Sequence, residues 1–357
     1  MARLKDVAKM ANVSICTASK IINQARGWDL YSEDCVKRVR AASKALAYKP
    51  NYHAIALKAG RSKAIGMVMI TPKETDTYNP FLTGVLLAVD ISAIRTGFHF
   101  VVIGDGSQSN ALDNALLYLK EGRVDGLVIQ GSTLIPEKMK ALEDAQSPIV
   151  LINFDAKTTL PRVGIDHAIG IQKAVRRLAE LKHRRLLYVG PAPQSDSLAN
   201  TFANKARRDA FAETCEELGL EARFALAQEK NIFGSEIRNI QSAHDLCLAN
   251  REVFDSCTGV VCFNELTALG VYAAAQETGR RVPQDLSIIG FDNIYAPMAW
   301  PPMTVVSHML NEIGETAVRR VIEMTKDVES WDKLRGNVDM IEPVLVERGS
   351  AGPAPQA

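Results

Sequence analysis

From Ile65 onward the chain alternates short apolar runs with amphipathic stretches, and that alternation leaves few folds open. Ile65 to Ile70, Phe98 to Ile103, Gly126 to Ile129, Ile149 to Ile152, Leu186 to Val189, Gly259 to Cys262 and Leu286 to Ile289 read as buried strands. Between most of them lie helical patterns, such as Phe81 to Thr96, Ile169 to Lys182 and Leu266 to Gly279. A strand followed repeatedly by a helix builds a parallel sheet covered on both faces. The stretch from 64 to 348 is too long for one such sheet of ordinary size, so two doubly wound lobes are expected.

The first 63 residues follow another rule. They carry thirteen Lys and Arg against four Asp and Glu, a net +9, while the rest of the chain carries −8. A basic head on an acidic body points to a nucleic-acid-binding module joined to a part with a different task. In the head, Val7, Ala8 and Ala11, then Ala18, Ile21 and Ile22, fall at helical spacing on either side of a break at Asn12-Val13. Ser14 stands where the second helix, over about 15 to 23, needs its N-cap. A third helix is expected from Ser32 to Ala47, with Val36, Val39, Ala42 and Leu46 inward. The sum is an all-α head opening on a helix-turn-helix. In that geometry the second helix enters the major groove and presents Ile15, Cys16, Ser19 and Lys20. Lys20 can donate to guanine or phosphate, and Ile15 and Cys16 can pack on thymine methyls.

The head resembles the LacI/GalR family of bacterial transcriptional regulators. The resemblance rests on Leu4-Lys5-Asp6-Val7-Ala8-Lys9-Met10-Ala11-Asn12-Val13-Ser14, on Thr17-Ala18-Ser19-Lys20-Ile21-Ile22-Asn23, and on Ala41-Ala42 with Leu46-Ala47-Tyr48-Lys49-Pro50-Asn51. It implies that Ser14, Thr17, Ser19, Asn23 and Tyr48 touch phosphate and that positions 15, 16 and 20 read bases. Residues 51–63 would be the family's hinge segment, with Ala54 and Leu57 at the minor-groove positions. Departures are a loop between Asn23 and Ser32 about three residues longer than usual, Cys35-Val36 in place of Thr-Arg at the start of the third helix, and Ile55 where many relatives have Arg.

The body resembles the effector domain of the same family, which has the periplasmic sugar-binding fold. The matching runs are Asn79-Pro80-Phe81, Val124-Asp125-Gly126-Leu127, Arg207 to Phe211, Asn264 to Gly270, Val282-Pro283, Gly290-Phe291-Asp292-Asn293 and Pro301-Pro302-Met303-Thr304-Val305. By that resemblance the chain divides into residues 1–50, a hinge at 51–63, and lobes 64–166 with 294–323 and 167–293 with 324–348. Ligands of open parallel sheets bind beyond the carboxyl ends of the strands. Asn79, Phe81, Asn153, Asn264 and Asp292 follow strands and Arg207 opens a later helix, and by the resemblance Asp292, Arg207 and Asn264 occupy the family's ligand positions; together they offer carboxylate, guanidinium, amide and aromatic groups that suit a polyol. The expected effector is a carbohydrate. The alternatives are a purine or other small metabolite acting as corepressor, and a plain solute-binding protein, which would need a signal peptide and no basic head. Glu265 replaces the Asp usual after the asparagine, a change that bears on the pocket or on its rim.

Catalytic signatures are missing: there is no G-x-S-x-G, no Walker loop and no H-E-x-x-H. Gly104-Asp105-Gly106 reads as a turn, the six histidines are apart in sequence, and Asp166-His167 is adjacency without geometry. The expectation is a regulator, not an enzyme, with no cofactor or metal and reduced, mostly buried cysteines. The charged start and the absence of a long apolar run imply a cytoplasmic, nucleoid-associated protein with no membrane partner. The tail, 349–357, rich in Gly, Pro and Ala, reads as disordered, and no leucine heptad accompanies it, so a homodimer on a pseudo-palindromic double-stranded operator is expected. Operator affinity, measured as a function of salt, is expected to fall by roughly 0.9 log units per log unit of salt for each phosphate neutralised. A flat salt response contradicts the basic head as the DNA contact.

Overall fold

In the computed structural model, described over residues 2–50, 60–70, 80–104, 108–131, 134–193, 202–227 and 236–356, the chain separates into two units, 1–63 and 64–357. In the first unit, helices α1 (Leu4–Met10), α2 (Ile15–Ile22) and α3 (Glu33–Ala45) enclose Val7, Ala8, Ala11, Ala18, Ile21, Val39 and Ala42. Each start has a chemical reason. The Asp6 carboxylate accepts the Arg3 amide at 2.9 Å, Ser14 caps α2, and Ser32 Oγ accepts the Cys35 amide at 3.3 Å. The long loop between α2 and α3 is an ordered turn. Gly27 takes a left-handed φ of 83°, a 3-10 turn follows at Trp28–Leu30, and the Arg40 guanidinium sits 5.3 Å over the Trp28 ring.

The second unit holds two parallel sheets. The first orders its strands β11-β5-β4-β3-β1-β2, from β1 (Ala64–Met69), β2 (His99–Val102), β3 (Gly126–Gln130), β4 (Ile149–Ile152), β5 (Arg162–Ile165) and β11 (Val338–Ile341). The second orders β12-β10-β9-β8-β6-β7, from β6 (Arg185–Pro191), β7 (Glu221–Ala227), β8 (Gly259–Cys262), β9 (Ser287–Asp292), β10 (Thr304–Ser307) and β12 (Val344–Val346). Every pairing is parallel except β10 with β12. The central strands read as continuous apolar runs because helices cover both faces: α4 (Pro80–Arg95), α5 (Gln108–Lys120), α6 (Pro136–Asp144), α7 (His167–Glu180), α8 (Phe202–Glu217), α9 (Glu236–Ala249), α10 (Arg251–Ser256), α11 (Glu265–Glu277), α12 (Leu310–Met324) and α13 (Val328–Leu334).

The chain passes between lobes at 165–167, 307–310 and 341–344. The second and third passages lie later than the expected 293 and 323. Residues 304–307 are a strand of the second lobe, paired with β9, so the chain must finish β10 before it leaves. Helix α12 then packs on the first lobe, where Gly314 approaches Ala88 of α4 so closely that a Cβ would lie 2.6 Å from its carbonyl carbon. Four cysteines, at 215, 247, 257 and 262, are buried, Cys35 is half-buried and Cys16 exposed, all as free thiols.

The tail also departs from expectation, because its polar groups have partners. Ser350 is fully buried; its hydroxyl donates to the Ile288 carbonyl at 2.5 Å and accepts the Thr304 amide at 2.8 Å. The Gly352 amide donates to Ser287 Oγ at 3.0 Å, and the Gly352 carbonyl lies 3.1 Å from Nε2 of the buried His183. The Ala354 amide donates to Leu181 at 2.8 Å. Composition signals a lack of side chains to bury, yet backbone hydrogen bonds need no side chain. Ser350→Ala strands the Thr304 amide, and urea unfolding is expected to show a loss of about 1 to 3 kcal/mol. An unchanged midpoint would return residues 349–356 to the status of an idle tail.

Candidate functional site

Helix α2 of the head presents an exposed face. At 3.6 residues per turn, Ile15, Ser19, Cys16 and Lys20 fall within an arc of roughly 140° on α2, opposite the buried Ala18 and Ile21. Ile15 is 55% exposed, and Cys16 and Lys20 are exposed as well. The residues assigned to phosphate are bonded to one another. Ser14 Oγ accepts the Thr17 amide at 3.0 Å and lies 2.9 Å from the Thr17 hydroxyl, while Asn23 Nδ2 donates to the Ser19 carbonyl at 2.9 Å and to its hydroxyl at 3.3 Å. Tyr48 packs against the head's core. Ala54 and Leu57 lie outside the described residues, as does Asn79.

In the body the geometry centres on Arg207, which projects from α8 and is 4% exposed. Its Nη1 donates to the Phe263 carbonyl at 2.5 Å, Nη2 lies 3.1 Å from His308 Nε2 and 3.2 Å from His167 Nδ1, and Nε donates to the same His167 nitrogen at 3.3 Å. The guanidinium lies 3.7 Å from the Phe291 ring centre. Asp292 ends β9, and its Oδ1 is 3.0 Å from His308 Nδ1. Phe81 reaches from the first lobe, its ring centre 4.6 Å from that of His308. Arg207, Asp292 and Phe81 therefore converge, while His167 and His308, far apart in sequence, join them. Sequence spacing hides this pairing because the two histidines sit in different passages between the lobes.

Asn264 and Asn153 hold more structural positions. Asn264 caps α11, its Oδ1 accepting the Thr267 amide at 2.7 Å. Asn153 follows β4 with a left-handed φ of 59°, and its buried Oδ1 makes no hydrogen bond; Gln130 Oε1, at the end of the neighbouring β3, is another buried acceptor without a partner. Asp166 is spent as the N-cap of α7, accepting the Ile169 amide at 3.0 Å.

Glu265 proves to be the support of the loop that carries Asp292. Its carboxylate accepts the amides of Ile294 at 2.9 Å, Tyr295 at 2.8 Å and Ala296 at 3.0 Å. Asp292 and Asn293 both hold positive φ, 119° and 76°, a costly backbone that persists only where its surroundings impose it. Arg348 adds a second restraint, donating to Asn293 Oδ1 at 2.7 Å. Burial, then the Asp292 charge, push the Glu265 carboxyl up against the pull of its three amide donors. Burial likewise raises Asp292, with Arg207 opposing it.

Residues 3–51 match the model of bacterial regulatory proteins of the lacI family, and residues 175–351 match that of the periplasmic binding protein-like domain. The HTH-type transcriptional repressor PurR of Glaesserella parasuis serovar 5 (strain SH0165) is 30% identical over 328 residues, 90% of each chain. The chain belongs to the LacI family. Its counterpart from Mannheimia succiniciproducens, also called HTH-type transcriptional repressor PurR, is 30% identical over 356 residues, 98% of each chain. Among solved structures, the lac repressor dimer bound to operator and the anti-inducer ONPF has a TM-score of 0.76 at 23% identity, covering 98% of this chain and 99% of that one. The CelR–cellobiose complex has a TM-score of 0.63 at 22% identity, covering 98% and 100%. This LacI-family chain is a DNA-binding transcriptional regulator with a helix-turn-helix head and a two-lobed α/β body.

For this LacI-family chain, Glu265→Ala leaves three amides without their acceptor, and at about 1 to 3 kcal/mol per stranded buried group the thermal midpoint is expected to fall clearly. Glu265→Gln keeps one carbonyl acceptor and should recover part of the loss. Equal midpoints for Glu265→Ala and wild type would remove Glu265 as the loop's support.

Proposed function

We propose that the chain is a repressor that binds a pseudo-palindromic operator as a homodimer, and that a small planar heterocycle of the purine class, held between the lobes, sets its grip. The reading rests on one observation above the others: Arg207 and Asp292 meet beside Phe81 where the lobes join. A ring face from one lobe and a charged pair from the other suit a flat, polar-edged ligand. The PurR repressors among the relatives favour a purine over the carbohydrate first expected.

The homodimer is supported by apolar surface in both lobes. Leu87, Ile91 and Ile94 form an exposed stripe on α4, beside a groove of 400 Å³ lined by Asp90, Ile94 and Phe98 to Phe100. In the other lobe Met298 and Trp300 are 81% and 89% exposed. Such surface is what a second copy of the chain would cover.

The test is operator binding by the full chain, on a site selected from random DNA, with adenine, guanine and hypoxanthine against ribose and cellobiose. Purines should change operator affinity and the sugars should not; a response to a sugar alone would restore the carbohydrate reading. Asp292→Asn is expected to leave operator binding intact while weakening the purine response about ten- to a hundredfold, the effect of losing a charged hydrogen-bond partner. A folded Asp292→Asn protein answering wild-type purine concentrations would displace the pocket from this site.

A further inference from the structure

The two histidines on Arg207 carry an inference that builds on the effector reading above. A guanidinium has donors only and keeps its proton at any ordinary pH. A ring nitrogen 3.1 to 3.3 Å from it must therefore be the acceptor. His308 accepts at Nε2, so its proton is on Nδ1, which lies 3.0 Å from Asp292 Oδ1 without the alignment of a hydrogen bond. His167 accepts at Nδ1, so its proton is on Nε2. The two rings are neutral and of opposite tautomer.

Their places in the chain give this pairing a consequence. His167, the first residue of α7, closes the passage at 165–167, and His308 lies within the passage at 307–310, followed by Met309 at a left-handed φ of 53°. One guanidinium of the second lobe thus fastens two of the three passages between the lobes, and the Phe81 ring of the first lobe rests on His308.

We propose that His167 and His308 are positioning residues that hold Arg207, as neutral acceptors, in the place from which it meets the effector, and that protonation of either ring releases it.

Among the described residues, the charged groups facing the rings are Arg207 from α8 and Asp292 from the end of β9, with Glu265 of α11 behind Asp292; the rings of Phe81, Phe202 and Phe291 also lie against them, and the two imidazoles are 5.9 Å apart. Burial first, and then the Arg207 charge, hold both imidazoles well below the ordinary histidine range, and for His167 the second histidine adds to this. A histidine depressed in this way contributes its stability at pH above the unfolded value, about 6.5. That stability is lost as pH falls below 6.5, since the unfolded chain then binds protons that the folded one refuses.

The experiment is nitrogen-15 histidine NMR on the full chain from pH 7.5 down to the acid limit of the fold, with melting curves and purine titrations on the same samples. His308 should show the Nδ1–H form and His167 the Nε2–H form, with neither ring titrating near 6.5. Purine affinity should hold from pH 7.5 to 5.5, where both rings stay neutral, and fall at least tenfold only at the lower pH at which either ring of the folded chain takes a proton. In the double variant His167→Gln with His308→Gln, whose amide oxygens accept without titrating, the pH dependence of melting should flatten and the loss of affinity in acid should disappear. His308→Leu should instead weaken purine binding at every pH. An inverted tautomer, a ring titrating near 6.5, or a double Gln variant with the wild-type pH slope would overturn the proposal. If no purine binds, the effector reading fails by itself, while the tautomers and the pH dependence of melting still decide what the histidines do.

Discussion

A full positive charge lies out of water at the junction of the two lobes, and much of the surrounding structure exists to tolerate it. Burying a guanidinium carries an effective penalty of several kcal/mol, offset only where its donors and its charge both find partners. Arg207 has the Phe263 carbonyl, two imidazole acceptors and an aromatic face, with Asp292 as the opposing charge. Each partner is constrained in return. The rings must stay neutral, the carboxylate must be brought inward on a backbone that disfavours its own conformation, and something must hold that backbone.

That holding is done by residues distant in sequence. Glu265 gathers the amides of 294–296 from the start of α11, and Arg348, just after β12, secures Asn293. The Arg348 amide also donates to Thr304 Oγ1, and Ser350 ties the same stretch to β9 and β10. The last passage between the lobes therefore serves the site: by returning to the second lobe the chain end clamps the edge from which Asp292 is presented. A carboxylate raised by burial at Asp292 and a second one raised at Glu265 remain side by side because the amide donors and Arg207 share their charge.

The lobes were legible because their central strands are buried on both faces and so are continuous in hydropathy, as at Ile149–Ile152 and Gly259–Cys262. The edges were not. β7 runs Glu221–Ala227 with exposed and half-buried residues, and β11 and β12 are short and partly exposed, so their patterns fade into those of loops. The passages expected from the resemblance at 293 and 323 lie later because β10 and β12 belong to the second lobe, and membership of a sheet is decided by pairing partners that no local window contains. The caps Ser14 and Asn264 could be anticipated from residue type and position, whereas the roles of Glu265 and the two histidines depend on contacts of 29 residues and more along the chain. Arg207 and Asp292 came from the resemblance and Phe81 from its place after the first strand, and the structure brings those three together.

How such a site acts on the protein follows from its hydrogen-bond supply. A ligand shifts an equilibrium only by the difference in its affinity for the two states, so a site that is satisfied equally in both carries no signal. The donors of Arg207 are nearly all engaged by the protein, and two of its acceptors are residues of the passages themselves. A ligand that takes a hydrogen bond from this guanidinium competes with an imidazole, and displacing that imidazole leaves a buried ring nitrogen in need of a new partner. The least costly response is for the passage to move with its histidine. On the proposed reading, occupancy of the pocket and arrangement of the lobes are coupled through one side chain, with no wire of intermediate residues required.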